Sequence, residues 1–145
     1  MSKMEEEKLS WGQVIDKEDL NQINLPKSMI ESYIKKTQKK HVLIVFTPRE
    51  NILKIDVFPI ENKDIIKVQL KLTQFSGSTV KQIAHIIREL NIPKNLFTSG
   101  VCIQSDMCLY EAYIEYHKLG VSLDDLKERF TDVENVTEVN IIKIK

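Results

Sequence analysis

Two cysteines, three histidines and one glycine-bearing polar turn are the residues of this chain whose types could carry chemistry. Cys102 and Cys108 are the only thiols among 145 residues. A nucleophilic Cys102 would need a neighbouring cation or a helix N-terminus to depress its pKa, and the string Thr98-Ser-Gly-Val-Cys102 supplies neither. Two sulfurs make no disulfide framework and no four-ligand zinc set. The pair therefore reads as buried or free thiols, brought near each other where the chain turns at Ser105-Asp106. His41, His85 and His117 fall on three separate elements without the spacing that puts two imidazoles on one metal, and read as structural side chains. Asp124, Asp125 and Glu128 sit in the first turns of an expected helix, where they complement its dipole. No G-x-S-x-G elbow, Walker loop or G-x-G-x-x-G is present. The expectation is a chain without catalytic residues, metal or other cofactor, hence not an enzyme.

Two sets of residues are candidates for binding. The first is the turn Thr73, Gln74, Phe75, Ser76, Gly77 and Ser78, whose single glycine and following helix N-terminus make a weak cradle for an anion. The second is basic. Between Asn24 and Phe58, Lys27, Lys35, Lys36, Lys39, Lys40, Arg49 and Lys54 face only Glu31, Glu50 and Asp56, a local excess of four positive charges. Lysines of this kind give phosphate contacts and affinity through counterion release, while only Arg49 has a fork suited to bidentate contact with guanine. The same residues also read as a solvated helix end and loop. Lys plus Arg equals Asp plus Glu over the whole chain, 21 each, so any attraction to nucleic acid has to be local.

These residues need elements to position them. With 42% hydrophobic and 29% charged residues the composition is that of a globular α+β chain able to build a core. Met1 to Ser10 reads as a flexible acidic tail. Ile23-Asn-Leu25 reads as a short strand before Pro26, and Met29, Ile30, Tyr33 and Ile34 recur at helical spacing through Thr37. His41 to Phe46 and Ile52 to Phe58 are β-rich runs flanking the turn residues Thr47-Pro-Arg-Glu-Asn51, a β-hairpin. Pro59 and Glu61-Asn-Lys-Asp64 then interrupt the pattern and mark the expected domain boundary.

Beyond it, Ile66, Val68, Leu70 and Leu72 alternate with Lys67, Gln69 and Lys71, a half-buried strand. Val80, Ile83, Ala84, Ile87 and Leu90 follow at helical spacing after the Ser76 to Thr79 turn, and Asn91-Ile-Pro93 ends the helix. Leu96 to Gln104 and Met107 to His117 read as strands, Ser122 caps a helix through Phe130, and Val136 to Ile144 alternates as a last strand. The order βαββαβ is the split, ferredoxin-like arrangement, with both helices on one face of a four-stranded antiparallel sheet. No stretch approaches the roughly 20 apolar residues of a bilayer span, and the N-terminus lacks a signal-peptide core. The expected location is the cytoplasm, with no membrane contact.

Residues 64–145 resemble an ACT domain in length and element order, with Thr73-Gln-Phe-Ser-Gly-Ser-Thr79 where that family's first strand meets its first helix. The resemblance implies a small-molecule effector bound at that turn, a homodimer and a regulatory role. Asn21-Gln-Ile-Asn-Leu-Pro-Lys-Ser-Met-Ile30, followed by the hairpin, is similar to the strand-Ile-Pro-Lys-helix signature of AbrB-type swapped-hairpin modules, with Lys27 at the basic position after the proline. That resemblance, over residues 21–59 of an N-terminal module spanning 11–60, implies an intertwined dimer that presents Lys27, Lys35, Lys36, Lys39, Lys40 and Arg49 to DNA. The combined expectation is a non-catalytic homodimeric transcriptional regulator. The alternative is a protein-interaction or scaffold module that binds no nucleic acid.

Overall fold

The structure, a computed structural model, describes residues 10–90, 92, 97–117 and 119–144. Residues 1–9 of the tail expected over Met1 to Ser10, and the helix-stopping Asn91 and Pro93, lie outside them. The chain divides into two compact units, Met1–Lys40 and His41–Lys145.

The described part of the first unit holds one short 3-10 helix, Lys17–Gln22, and one α-helix, α1 (Lys27–Lys36). Pro26 precedes α1, where its missing N–H costs nothing, and its carbonyl accepts from the Ile30 N–H at 3.1 Å. Lys35 and Lys36 occupy the last turn, where their charge suits the negative end of the dipole. Residues 23–25, expected as a short strand, pair with no other described strand. Their backbone is tied locally instead: the Ile23 N–H donates to the Leu20 carbonyl at 3.4 Å, and the Asn24 carbonyl accepts from Gln13 Nε2 at 3.3 Å. No described residue of this unit is buried.

The second unit opens with the hairpin β1 (His41–Pro48) and β2 (Leu53–Ile60), paired from His41↔Ile60 to Pro48↔Leu53 and closed by the Arg49 N–H on the Ile52 carbonyl at 2.8 Å. After it come β3 (Ile65–Leu72), α2 (Gly77–Glu89), β4 (Phe97–Gln104), β5 (Met107–Glu115), α3 (Leu123–Thr131) and β6 (Val136–Lys143). The last four strands form one antiparallel sheet in the order β4-β5-β3-β6. Helix α2 begins at Gly77, three residues before the apolar periodicity. Ser76 is its N-cap, accepting the Thr79 N–H at 3.0 Å, and polar residues in a first turn do not interrupt a capped helix. Ser122 caps α3 in the same way through the Asp125 N–H at 3.1 Å.

Alternation on β3 decides the core. Ile66, Val68, Leu70 and Leu72 are at most 2% exposed and pack with Ile83 and Ile86 of α2, Leu126 and Phe130 of α3, and Cys108, Ala112, Ile114 and Val139 of the sheet. Both helices therefore cover the same face. The opposite face is not left to solvent: Leu43 and Val45 of β1 and Ile60 of β2 bury against Ile65, with Phe58, Tyr113 and Ile144 around them. The hairpin thus belongs to the same unit as the sheet, as a third layer across the face that the helices leave open.

Cys102 and Cys108 are joined by a disulfide, where the sequence pattern suggests thiols. They face each other in the β4–β5 register, and directly opposed side chains of an antiparallel pair lie within bonding reach.

Burial of the Tyr110 phenol raises its pKa above the ordinary 10.0. The Lys67 ammonium is also held above its ordinary 10.5: burial pulls it down, but the hydrogen bond and charge of Glu111, helped by Tyr113, outweigh that. Both groups keep their protons to higher pH when folded than when unfolded. Stability is therefore fully expressed below pH 10.0 and falls as pH rises past 10.0 and 10.5. In urea melts at rising alkaline pH, Tyr110→Phe should show a shallower loss than the unaltered chain. Parallel losses would mean that Tyr110 does not carry this pH dependence.

Candidate functional site

The end of β1 runs over the open face of the four-stranded sheet without closing on it, and leaves a cleft of about 390 Å3. Val45, Thr47 and the turn residue Arg49 form one wall. Val101 and Ile103 of β4, with Leu109 of β5, form an apolar stretch of the other. Lys67, Glu111, Ser99 and Tyr113 supply its polar surface. All of these sheet residues face the hairpin because strand alternation puts every second side chain there, and the pairs Ser99↔Glu111, Gln69↔Glu111 and Lys67↔Tyr113 lie opposite in register.

The charges are unevenly satisfied. Glu111 forms an ion pair with Lys67 and accepts a hydrogen bond from Gln69 Nε2 at 3.2 Å, and the Lys67 ammonium stands 5.9 Å from the centre of the Tyr113 ring. This pair is internally neutral. Arg49 is different: its guanidinium donates to the Ser99 hydroxyl at 3.3 Å and the Pro48 carbonyl at 3.4 Å, and it makes no ion pair among the described residues. A guanidinium has five N–H donors, so most of its fork is uncommitted. The arrangement can hold an anion against an apolar wall.

The outward face of the hairpin is a second feature. Val42, Ile44 and Phe46 on β1 and Leu53, Ile55 and Val57 on β2 lie on one side, each 43–60% exposed, and no charged residue stands among them. The inner side of the ribbon, with Leu43, Val45 and Ile60, is buried on the sheet, so this outer side is a second apolar surface that the unit itself leaves uncovered. Soluble monomers seldom show a contiguous apolar patch beyond about 300–600 Å2, and six large side chains at this exposure are of that order.

The turn singled out in the sequence is tied into the fold. Thr79 is fully buried; its hydroxyl donates to the Glu134 carbonyl at 3.1 Å and accepts from Asn135 Nδ2 at 2.9 Å, and the Ser76 hydroxyl lies 2.8 Å away. The Thr73 N–H donates to the Asn135 carbonyl at 2.9 Å, and Asn135 itself adopts a left-handed backbone, φ 72°. Phe75 lies on Gly100 of β4, where an added Cβ would stand 3.2 Å from the ring, which accounts for the glycine in that strand. Gln74 is exposed, Ser78 accepts from Gln82 Nε2 at 3.2 Å, and Gly77 and Ser78 border a groove between α2 and α3 beside Lys81, His85 and Arg129. The six turn residues thus do not converge on one spot.

The basic residues divide as well. Lys27, Lys35, Lys36, Lys39 and Lys40 lie in the first unit, all exposed, with Lys27 3.9 Å from Glu31, whereas Arg49 lies in the second at the cleft mouth. Among the described residues no three His, Cys, Asp or Glu side chains are grouped to hold a metal, and no helix is long and apolar enough to cross a membrane. Sequence reasoning missed Ser99, Lys67, Glu111 and Tyr113 as a group, because no short-range motif links them. Comparison with protein families finds no model that matches the chain, and comparison with curated proteins finds no match.

Proposed function

We propose that the chain is a non-catalytic homodimeric regulator, with the outer face of the hairpin as the contact between two copies. The observation that carries this reading is the uncharged apolar face of Val42, Ile44, Phe46, Leu53, Ile55 and Val57. A C2 contact sets the same patch against itself, and a flat apolar strip is self-complementary without any charge to match. The order β4-β5-β3-β6 with both helices on one face supports a ferredoxin-like, ACT-like second part. Five exposed lysines in the first unit support a polyanion, DNA in this reading, as the regulated partner.

Sedimentation of the full chain tests the dimer. Phe46 and Ile55 face each other in register, and Phe46→Asp with Ile55→Asp should weaken association about a hundred-fold or more, because each new carboxylate would be buried unpaired. Both side chains point outward, so the thermal melt of the monomer should survive. An unaltered chain that sediments as a monomer sinks the reading. For DNA, polarisation of a labelled duplex should fall steeply with salt, and replacing Lys27, Lys35 and Lys36 by alanine should flatten the log–log slope by about 0.9 for each phosphate that is no longer neutralised.

A second reading, an interaction module without nucleic acid, is favoured by the wholly apolar character of the outer hairpin face. It gains if the dimer forms and the polarisation does not respond.

A further inference from the structure

The cleft between β1 and the four-stranded sheet has a property that the apolar dimer face and the five lysines of the first unit leave unused: a guanidinium that makes no ion pair among the described residues, beside a hydroxyl at the edge of an apolar wall. We propose that this cleft binds a small monocarboxylate with an apolar body, its carboxylate on the Arg49 fork and the Ser99 hydroxyl and its body on Val45, Val101, Ile103 and Leu109.

Four observations carry it. First, the volume, about 390 Å3, lies within the range of small-molecule sites and admits a body of several carbons. Second, the charges of Arg49, Lys67 and Glu111 leave the cleft with one net positive charge, and that charge sits on Arg49, whose planar fork matches a carboxylate better than a point cation would. Third, Arg49 is placed at the cleft: its own N–H closes the hairpin turn on Ile52, and its guanidinium reaches Ser99 and Pro48 at 3.3 and 3.4 Å, with further N–H donors left for a ligand. Fourth, Val101 and Ile103 are 42% and 57% exposed although they face the cleft, so an apolar body there removes surface that the protein alone leaves wet.

The polar set also defines what the site does not favour. An α-amino acid brings an ammonium that needs an anion or several acceptors. The one carboxylate in the cleft, Glu111, already receives Lys67 and Gln69. A simple carboxylate keeps the Arg49 contact without asking for a second ionic partner. Inorganic phosphate would satisfy Arg49 but leave the apolar wall uncovered. This ligand assignment does not rest on the dimer or on the five lysines of the first unit, since every residue in it belongs to one copy of the second unit.

The test is titration of the full chain, followed by amide NMR shifts, with phenylpropanoate, phenylpropanamide, phenylalanine and inorganic phosphate. Phenylpropanoate should shift the amides of Arg49, Ser99 and Val101 and should bind more tightly than the other three. Arg49→Gln should weaken it about ten- to hundred-fold, the usual worth of a hydrogen-bonded charge, with the thermal melt unchanged because Arg49 is exposed. Ser99→Ala should weaken it by a smaller factor and serves as the second variant. Equal binding of phenylpropanamide, or undiminished binding in Arg49→Gln, overturns the carboxylate assignment. Tighter binding of phenylalanine or phosphate overturns the ligand class, and shifts confined to the α2–α3 groove overturn the location.

Discussion

Alanine at Phe130 is expected to destabilise the second unit by about 3–5 kcal/mol, the range of a large aromatic ring removed from a closed core. Phe130 is 1% exposed and is the largest of the fully buried side chains. It stands in the last turn of α3 and packs into the cluster that β3 presents through Ile66, Val68, Leu70 and Leu72, so its ring is shared by the helix layer and the central strand. Two terms add: lost transfer free energy, and a cavity that residues held from both sides cannot close. The backbone around it is fixed, since the Asp132 N–H bonds the Glu128 carbonyl and the Val133 N–H bonds that of Phe130, each at 3.2 Å. A domain of this size is stable by about 5–15 kcal/mol, so such a loss moves it close to unfolding. Urea unfolding gives the value, and a change below about 1 kcal/mol would remove Phe130 from the centre of the core.

Valine at Thr79 is expected to cost about 2–3 kcal/mol although shape and volume barely change. Thr79 has no exposed surface, and its hydroxyl gives its single hydrogen to the Glu134 carbonyl while receiving Asn135 Nδ2. With that hydrogen committed, the Ser76 hydroxyl donates to Thr79 across their 2.8 Å contact. Valine deletes the hub and leaves three groups short of a partner in a part-buried place, and an orphaned polar group costs more than a made hydrogen bond yields. The consequence reaches the α3–β6 turn, where the same Asn135 holds a left-handed backbone. Thr79→Ser, which keeps the hydroxyl, should recover most of the loss. Equal destabilisation of both variants in thermal melts would show that the methyl group matters more than the network.

Thr79 also shows what the sequence could and could not tell about the polar turn. The Ser76 cap is readable from the order of residues, because a serine before an apolar helical period is a local signal. The bonds from Thr79 to Glu134 and Asn135 are not, since they join positions 55 and 56 residues apart. Local pattern therefore suggested an available anion cradle, while long-range packing commits its hydroxyls to the protein.

The strands follow the same division. Alternation made Ile66, Val68, Leu70 and Leu72 legible as a buried row, and two β-rich runs around Thr47-Pro-Arg-Glu-Asn51 made the hairpin legible, because side-chain period and turn chemistry act within a few residues. The facing of Cys102 and Cys108 across a turn at Ser105-Asp106 was readable as well; that they are bonded was not, because two thiols are too few to imply a disulfide framework. Tertiary structure alone decided that the hairpin lies on the sheet face away from the helices, and hence that Arg49 meets Ser99 beside the Lys67–Glu111 pair. Those four side chains come from one turn and three strands, and no sequence period relates a loop residue to the face of a sheet that follows it in the chain. The elements were written in local spacing; the cleft exists only because burial of Leu43, Val45 and Ile60 against Ile65 brings the hairpin down onto the sheet.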